Sequence, residues 1–131
     1  QPSAEEGHVF GNPTDPAGYM ALICYKNGSL TRTSVRDSYG VNQTTATLSE
    51  KQKWNNFGKQ LANSMPGNQG NIGIYFEADE ITPRIKKGTY LFDSVGNSVN
   101  EFNHPDMHCR AVIEGQMMSM YLHAKNIGVN V

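Results

Sequence analysis

The longest run of apolar positions lies near the end of the chain, from His104 to Gly128, and predicts one long helix. Pro105 suits the first helical turn, where a missing N–H costs nothing, and Asp106 complements the positive end of the helix dipole. Gly128 is placed to end the helix. Apolar residues fall on every side of this segment, a pattern typical of a helix buried around its whole circumference.

A second helix is predicted from Ser49 to Met65. Ser49 and Gln52 have the spacing of a capping box, in which the two side chains bond to backbone N–H groups at the helix start. Large apolar residues then recur at helical spacing in one narrow stripe: Trp54, Phe57, Leu61 and Met65. We expect this stripe to face the core, and Pro66-Gly67 to end the helix.

The first part of the chain carries strand patterns. Tyr19–Lys26 is apolar almost throughout, which predicts a strand covered on both faces. Asn27-Gly28 is a strong hairpin signal, so Ser29–Arg36 is interpreted as a returning, more polar strand. Two further strands are predicted at Asn71–Phe76 and Gly88–Phe92. These elements together predict an α/β chain with antiparallel hairpin strands and a long buried C-terminal helix.

Composition narrows the class of protein. The 131 residues suffice for one domain, in which the Ser-, Thr- and Asn-rich residues 37–48 are interpreted as a polar, flexible connection. The net charge of −1, without a basic patch, gives no support for nucleic-acid binding. No run of about 18 apolar residues exists to span a membrane.

The cysteines and the first residues indicate the cellular compartment in which we expect the protein. Cys24 and Cys109 lie in segments that look buried, Cys24 in a strand and Cys109 on the long helix, and two free thiols are preferred to a disulfide. Residues 1–6 have neither the basic nor the apolar region of a signal peptide. We therefore expect a cytoplasmic protein. The missing initiator Met suggests processing, or excision from a longer chain.

The run from Arg110 to Gly115 places two charges inside the apolar helix. Arg110 and Glu114 are four residues apart, and buried charges need partners, so a structural ion pair is the favoured interpretation. Because the Arg-before-Glu order is the weaker one for a helical pair, further partners are expected. Gly115 indicates a close approach of another segment to this helix.

Three other features resemble functional sites and are given structural interpretations. The glycines between residues 67 and 73 lead into a strand, and therefore lack the helix N-terminus that would hold a phosphate. An acidic turn facing water is the commoner explanation for one cluster of carboxylates, Glu77, Asp79 and Glu80. Polarity at a helix start explains a second cluster better than metal binding does: His104, Asp106 and His108.

Several strings, taken in order, resemble the FGGY carbohydrate kinases, and among them the eukaryotic-type xylulose kinases. They are Glu6 to Phe10, Asn12-Pro13, Tyr19 to Leu22, Lys26 to Leu30, Trp54 with Phe57, Gly73 to Phe76, Glu80 to Pro83 and Arg110 to Gly115. The resemblance covers nearly the whole chain. Met107 and His108 depart from the family pattern of a polar and then an aliphatic residue, and the polar residues 39–48 look peculiar to this chain.

The resemblance implies a partial ribonuclease-H-like (actin-like ATPase) domain. Residues 1–131 would be an incomplete C-terminal, nucleotide-side kinase domain, with the rest of its polypeptide as partner. The intact protein would phosphorylate D-xylulose to D-xylulose 5-phosphate with ATP and Mg²⁺. Trp54 matches a position near the adenine in such kinases, whereas the catalytic carboxylate and the sugar site lie outside this chain.

The isolated chain is therefore expected to be inactive, to bind no cofactor tightly and to be prone to self-association through an uncovered sheet edge or apolar face. A stand-alone binding or interaction module derived from the kinase domain remains the alternative.

Overall fold

A computed structural model of the chain describes residues 7–40 and 47–130. The helices of this described part are α1 (Ser29–Tyr39), α2 (Glu50–Asn63) and α3 (Met107–Asn126), and a 3₁₀ turn lies at Asn68–Gly70. Its strands are β1 (His8–Gly11), β2 (Tyr19–Leu22), β3 (Ile72–Phe76), β4 (Glu80–Ile81), β5 (Arg84–Ile85), β6 (Gly88–Phe92) and β7 (Ser98–Val99). The mixed α/β class and the antiparallel strands are confirmed.

The strands form three small antiparallel sheets, ordered β1-β2, β3-β6-β7 and β4-β5. In the largest, Ile72 lies opposite Phe92 and Phe76 opposite Gly88, so the two strands predicted from apolar runs pair along their full length. The turn between β6 and β7 is held by Asp93, whose carboxylate accepts hydrogen bonds from the N–H groups of Val95 and Asn97. This sheet covers one side of α3 through β3.

The core lies where α1, α2 and β3 pack against the first half of α3. Its buried apolar side chains come from every one of these elements: Val35, Phe57, Tyr75, Leu91, Phe102, Met107, Cys109, Ala111 and Val112. Cys109 is fully buried, and burial raises the pKa of its thiol to about 12. Both cysteines are free, as predicted.

The predicted hairpin at residues 19–36 is wrong in its second half. Ser29–Tyr39 is a helix, and Thr31, Val35 and Arg36 are buried on one side of it. Asn27 does not form a tight turn, because its side-chain oxygen accepts hydrogen bonds from the N–H groups of Glu77 and Ala78. A polar side chain recruited by a distant segment therefore overrides the local turn preference of Asn-Gly.

The predicted strand at Tyr19–Lys26 is shorter than expected and is exposed. It ends at Leu22, so Cys24 lies beyond it and is exposed, contrary to the prediction. Among the described residues β2 has β1 as its only neighbour, which leaves its apolar side chains uncovered. The predicted connection at 37–48 begins inside α1, and residues 41–46 lie outside the described part of the chain.

The capping box that begins α2 is present: the Ser49 side chain accepts the N–H of Gln52, and the Gln52 side chain accepts the N–H of Ser49 at 2.9 Å. The apolar stripe that follows is only partly inward. Phe57 is buried and Leu61 half-buried, whereas Met65 is 67% exposed because the helix ends at Asn63. The predicted inward position of Met65 is therefore wrong.

The prediction that α3 is buried around its circumference holds only for its first half. Met107, Cys109, Ala111 and Val112 are buried there. In the second half of the helix only His123 is buried. Five apolar side chains in this half are exposed: Met117, Met118, Met120, Tyr121 and Leu122. The reason is positional, since α1 and α2 cover the beginning of the helix and the described residues provide no second layer over its end.

The approach of α3 to β3 is close at two glycines. A Cβ atom at Gly115 would collide with the carbonyl oxygen of Gly73, and a Cβ atom at Gly73 would lie 2.9 Å from the Cβ of Ala111. The close contact predicted at Gly115 is therefore present. A backbone oxygen fills the space beside Gly115, and side-chain atoms of Tyr75 and Ala111 fill the space beside Gly73, so neither position accepts a larger residue without a shift of its neighbours.

We predict opposite effects for two glycine-to-alanine changes in helices. Gly115→Ala should lower the free energy of unfolding by ~1–3 kcal/mol, because the new methyl group meets the backbone of β3. Gly58→Ala, at an exposed α2 position with no atom within 4 Å, should raise it by ~0.5–1 kcal/mol. Chemical denaturation of a polypeptide that contains this chain measures both. Equal effects would contradict the close packing of α3 on β3.

Candidate functional site

Trp54 lies near the beginning of α2 with a cation against its ring. The guanidinium carbon of Arg36 is 4.5 Å from the ring centroid, and Phe57 meets the indole edge-on at 5.4 Å between centroids. Trp54 nevertheless keeps 39% of its surface exposed, while Arg36 is 1% exposed. The indole is therefore fixed by two neighbours and still offers part of its surface to a ligand.

Arg36 is held in place by two carboxylates. Its guanidinium lies 2.7 Å from Asp37 and 2.8 Å from Glu50, the first residue of α2. Burial alone would lower the pKa of Arg36, but the hydrogen bonds to Glu50 and Asp37 outweigh burial and raise it. Hydrogen bonds from Lys53 and Arg36 lower the pKa of Glu50. Arg36 is therefore a permanent cation that ties α1 to the start of α2.

Arg110 and Glu114 are brought together on α3, with Nη1 of Arg110 at 2.9 Å from Oε1 of Glu114. Arg110 also donates to the carbonyl oxygens of Leu61 and Ser64 and to the Ser64 hydroxyl. Glu114 accepts the N–H of Gly67 at 2.9 Å. Since the last carbonyl groups of a helix lack partners within that helix, the pair closes the end of α2 and fixes it to α3.

Glu80 was assigned to an acidic turn facing water, and that assignment is wrong. Glu80 is buried, and its carboxylate accepts N–H hydrogen bonds from Lys26, Asn27 and Ile81 at 2.8–3.0 Å. Burial alone would raise the pKa of Glu80, but these bonds and one from the Asn27 side chain lower it. No local signal in the sequence indicates this burial, because the N–H groups of Lys26 and Asn27 lie more than fifty residues from Glu80.

The other two carboxylates of that turn are exposed, as expected. Glu77 accepts a hydrogen bond from the Ser34 hydroxyl, and Asp79 forms an ion pair with Lys86 at 2.7 Å. The bond with Lys86 lowers the pKa of Asp79. The three acidic side chains therefore do not converge on a common point.

His104, Asp106 and His108 are also separated. His104 is exposed, whereas His108 is buried, stacked on Tyr39 at 3.7 Å between ring centroids. Nδ1 of His108 is 2.7 Å from the hydroxyl of Tyr75. Within residues 7–40 and 47–130, no three His, Cys, Asp or Glu side chains lie close enough to hold a metal ion. None of the helices in the described part is long and apolar enough to cross a membrane.

Comparison with known proteins adds a family resemblance to this geometry. No protein-family model matches the chain. Over 98% of its length, however, the chain is 44% identical to the xylulose kinase of Mus musculus and 41% identical to that of Rattus norvegicus. It is 35% identical to xylulose kinase 2 of Arabidopsis thaliana, again over 98% of its length.

These relatives are carbohydrate kinases by name. More particularly, all three are xylulose kinases, so the resemblance to xylulose kinases carried by the sequence strings is confirmed across nearly the whole chain. The chain spans 21%, 22% and 23% of the three proteins, about a fifth of their length. The similarity is therefore to one segment of such a kinase.

The buried imidazole of His108 predicts sensitivity to acid. Burial lowers its pKa from 6.5 to about 4, so between these values the unfolded chain binds a proton that the folded chain does not. Stability should fall as the pH drops from 6.5 to 4, by on the order of 3 kcal/mol at about 1.4 kcal/mol for each pH unit. Urea unfolding between pH 4 and 7 measures the slope.

Two matched variants separate this effect from general acid denaturation. His108→Gln should flatten the slope between pH 4 and 6.5 even though it lowers stability at pH 7. His104→Gln, at an exposed position, should leave the slope unchanged. If His108→Gln retained the wild-type slope, the buried imidazole would not be its source.

Proposed function

We propose that this chain is a segment of an ATP-dependent kinase that phosphorylates D-xylulose to D-xylulose 5-phosphate. The observation that carries the proposal is identity of 35–44% to proteins named xylulose kinase over 98% of the chain. In the proposed assignment, residues 1–131 are an incomplete C-terminal, nucleotide-side domain of the FGGY type with a partial ribonuclease-H-like fold. The remaining four fifths of such a protein supply the sugar site.

The proposed reaction requires a catalytic carboxylate and ligands for Mg²⁺, and we assign neither to this chain. In phosphoryl transfer to a hydroxyl, a carboxylate accepts the hydroxyl proton while Mg²⁺ and backbone amides neutralise the transferring group. Glu80 is the buried carboxylate of the described residues, and its oxygens already accept backbone N–H groups. We therefore assign the catalytic carboxylate and the Mg²⁺ ligands to the rest of the polypeptide, and expect the isolated chain to be inactive.

The test of the kinase assignment is ADP release by the polypeptide that contains this chain, assayed with ATP, Mg²⁺ and D-xylulose. Release of ADP that depends on D-xylulose, with none from the isolated 131 residues, is expected. ADP release that is the same with and without any pentulose would contradict the assignment and favour a binding module derived from a kinase domain.

Trp54 is the proposed contact for the adenine of ATP. Its role is inferred from the resemblance, and the geometry supports it in two ways. The indole is partly exposed, and Arg36 and Phe57 hold its plane before any ligand arrives. A ring that is already fixed loses little conformational freedom on binding, so contact with a base is not offset by ordering of the side chain.

We also propose that Arg110 and Glu114 are structural ions and not catalysts. The hydrogen-bonding groups of Arg110 are directed at the end of α2 and at Glu114, and Glu114 accepts from the turn that follows α2. Through this pair, α3 holds the helix that carries Trp54. The pair thus acts on the proposed nucleotide site by positioning α2.

Trp54→Ala in the intact kinase should weaken ATP binding roughly 5- to 150-fold. The range converts ~1–3 kcal/mol, the scale of base–aromatic contacts in single-stranded nucleic-acid complexes, at about 1.4 kcal/mol per decade. D-xylulose affinity should hardly change, because the sugar site is assigned elsewhere. Calorimetric titration with each substrate measures both affinities.

Two controls make this result specific. Trp54→Phe keeps an aromatic face and should retain most of the ATP affinity. Met65→Ala removes an exposed apolar side chain just after the same helix and should change neither affinity. Unchanged ATP affinity in a folded Trp54→Ala protein would reduce Trp54 to a packing residue of α2.

A further inference from the structure

An apolar groove runs between β3 and the second half of α3, with a volume of about 400 Å³. Its walls include Ile72 and Ile74 on one side, Met118 and Leu122 on the other, and Pro83 at one end. The helix residues are four apart and therefore share one face. This face begins at Gly115, where α3 touches β3, and the helix is uncovered from there onward.

Four of the polar side chains at the groove, those of Tyr25, Arg32, Gln116 and His123, already have hydrogen-bond partners within the chain. Arg32 donates to the side-chain oxygen of Gln116 at 2.7 Å, and Gln116 donates to the carbonyl oxygen of Gly28 at 3.1 Å. The hydroxyl of Tyr25 is 2.8 Å from Nδ1 of His123. A polar ligand entering the groove would have to displace these bonds, whereas an apolar group fills it without that cost.

The uncovered surface is wider than the groove. Met117 and Tyr121 are exposed on the sides of α3 that the groove does not include. Among the described residues β3 pairs with β6 alone, so its second edge carries no strand. Apolar surface that surrounds a helix and continues to an open sheet edge fits a packed layer of protein better than a small molecule.

We propose that an apolar segment of the same polypeptide, lying outside these 131 residues, packs in this groove and covers the second half of α3. The inference rests on the proposed function, in that it takes the chain as one segment of a longer kinase. The chain spans about a fifth of the xylulose kinases it matches, so the occupant has ample length from which to come. A tethered segment is present at millimolar effective concentration, which favours it over a second copy.

The test is photo-cross-linking in the longer polypeptide with p-benzoylphenylalanine placed at Met118. Mass spectrometry should find the cross-link within one molecule, to a peptide outside residues 1–131. The same group at Val95, which is 80% exposed in the turn between β6 and β7, should give no such product. A cross-link between two copies, or the same pattern from both positions, would overturn the proposal.

A second pair of variants provides a readout that does not depend on cross-linking. Leu122→Lys in the longer polypeptide should lower the thermal midpoint or abolish soluble expression, because a charge would enter a covered apolar face. Val95→Lys should do neither. Equal behaviour of the two variants would mean that α3 stays exposed. Absence of kinase activity in the unmodified polypeptide would instead refute the proposed function and leave the cross-link result valid.

Discussion

The rest of the structure depends on the contact between α3 and β3 at Gly115 and Gly73, where one backbone lies directly against the other. This contact sets the distance between helix and sheet, and Tyr75, Ala111 and Val112 fill the space on the core side of it. On the other side the same contact begins the apolar groove. The contact thus lies at the boundary between the half of α3 that α1 and α2 cover and the half that is exposed.

The covered half of α3 helps to position α2, the helix that carries the proposed nucleotide contact Trp54. Arg110 and Glu114 join α3 to the end of α2 and to the turn after it, while Arg36 joins α1 to the beginning of α2. Both ends of the helix that carries Trp54 are therefore fixed by an arginine, which is buried in the case of Arg36 and largely buried in the case of Arg110. Such pairs contribute position more than net stability, because the cost of desolvating the charges offsets their attraction. In this chain, what they position is an indole that remains partly exposed.

The sequence predicted those elements whose own residues determine their structure. The capping box at Ser49, the paired strands β3 and β6, and α3 each carry their pattern locally, and each forms as expected. The hairpin predicted at Asn27 does not form, because the Asn27 side chain accepts hydrogen bonds from the turn at 77–80, fifty residues away. The exposure of Glu80 was misassigned for the same reason, since its partners are the N–H groups at Lys26 and Asn27. Local sequence preferences cannot predict hydrogen bonds between segments so far apart in the chain.

Burial was predicted less well than secondary structure. The apolar circumference of α3 predicted burial along its whole length, yet the apolar side chains of its second half are exposed, and the described residues provide no layer that covers them. For the candidate site, spacing alone placed Trp54 on α2, and only the resemblance suggested a role for it. Arg36 was missed, because nothing among its neighbouring Ser, Thr and Asp residues indicates that its side chain is buried beside the indole of Trp54, eighteen residues later in the chain.

In the proposed function, α2 of this chain faces the nucleotide of a xylulose kinase. Photolabelling of the intact polypeptide with 2-azido-ATP probes this position, because the azide on the adenine reacts with whatever lies beside the base. We predict that the label is found in the peptide containing Glu50–Asn63, and that unlabelled ATP competes for it while D-xylulose does not. Labelling that ATP suppresses but that falls wholly outside residues 47–65 would mean that α2 does not face the base.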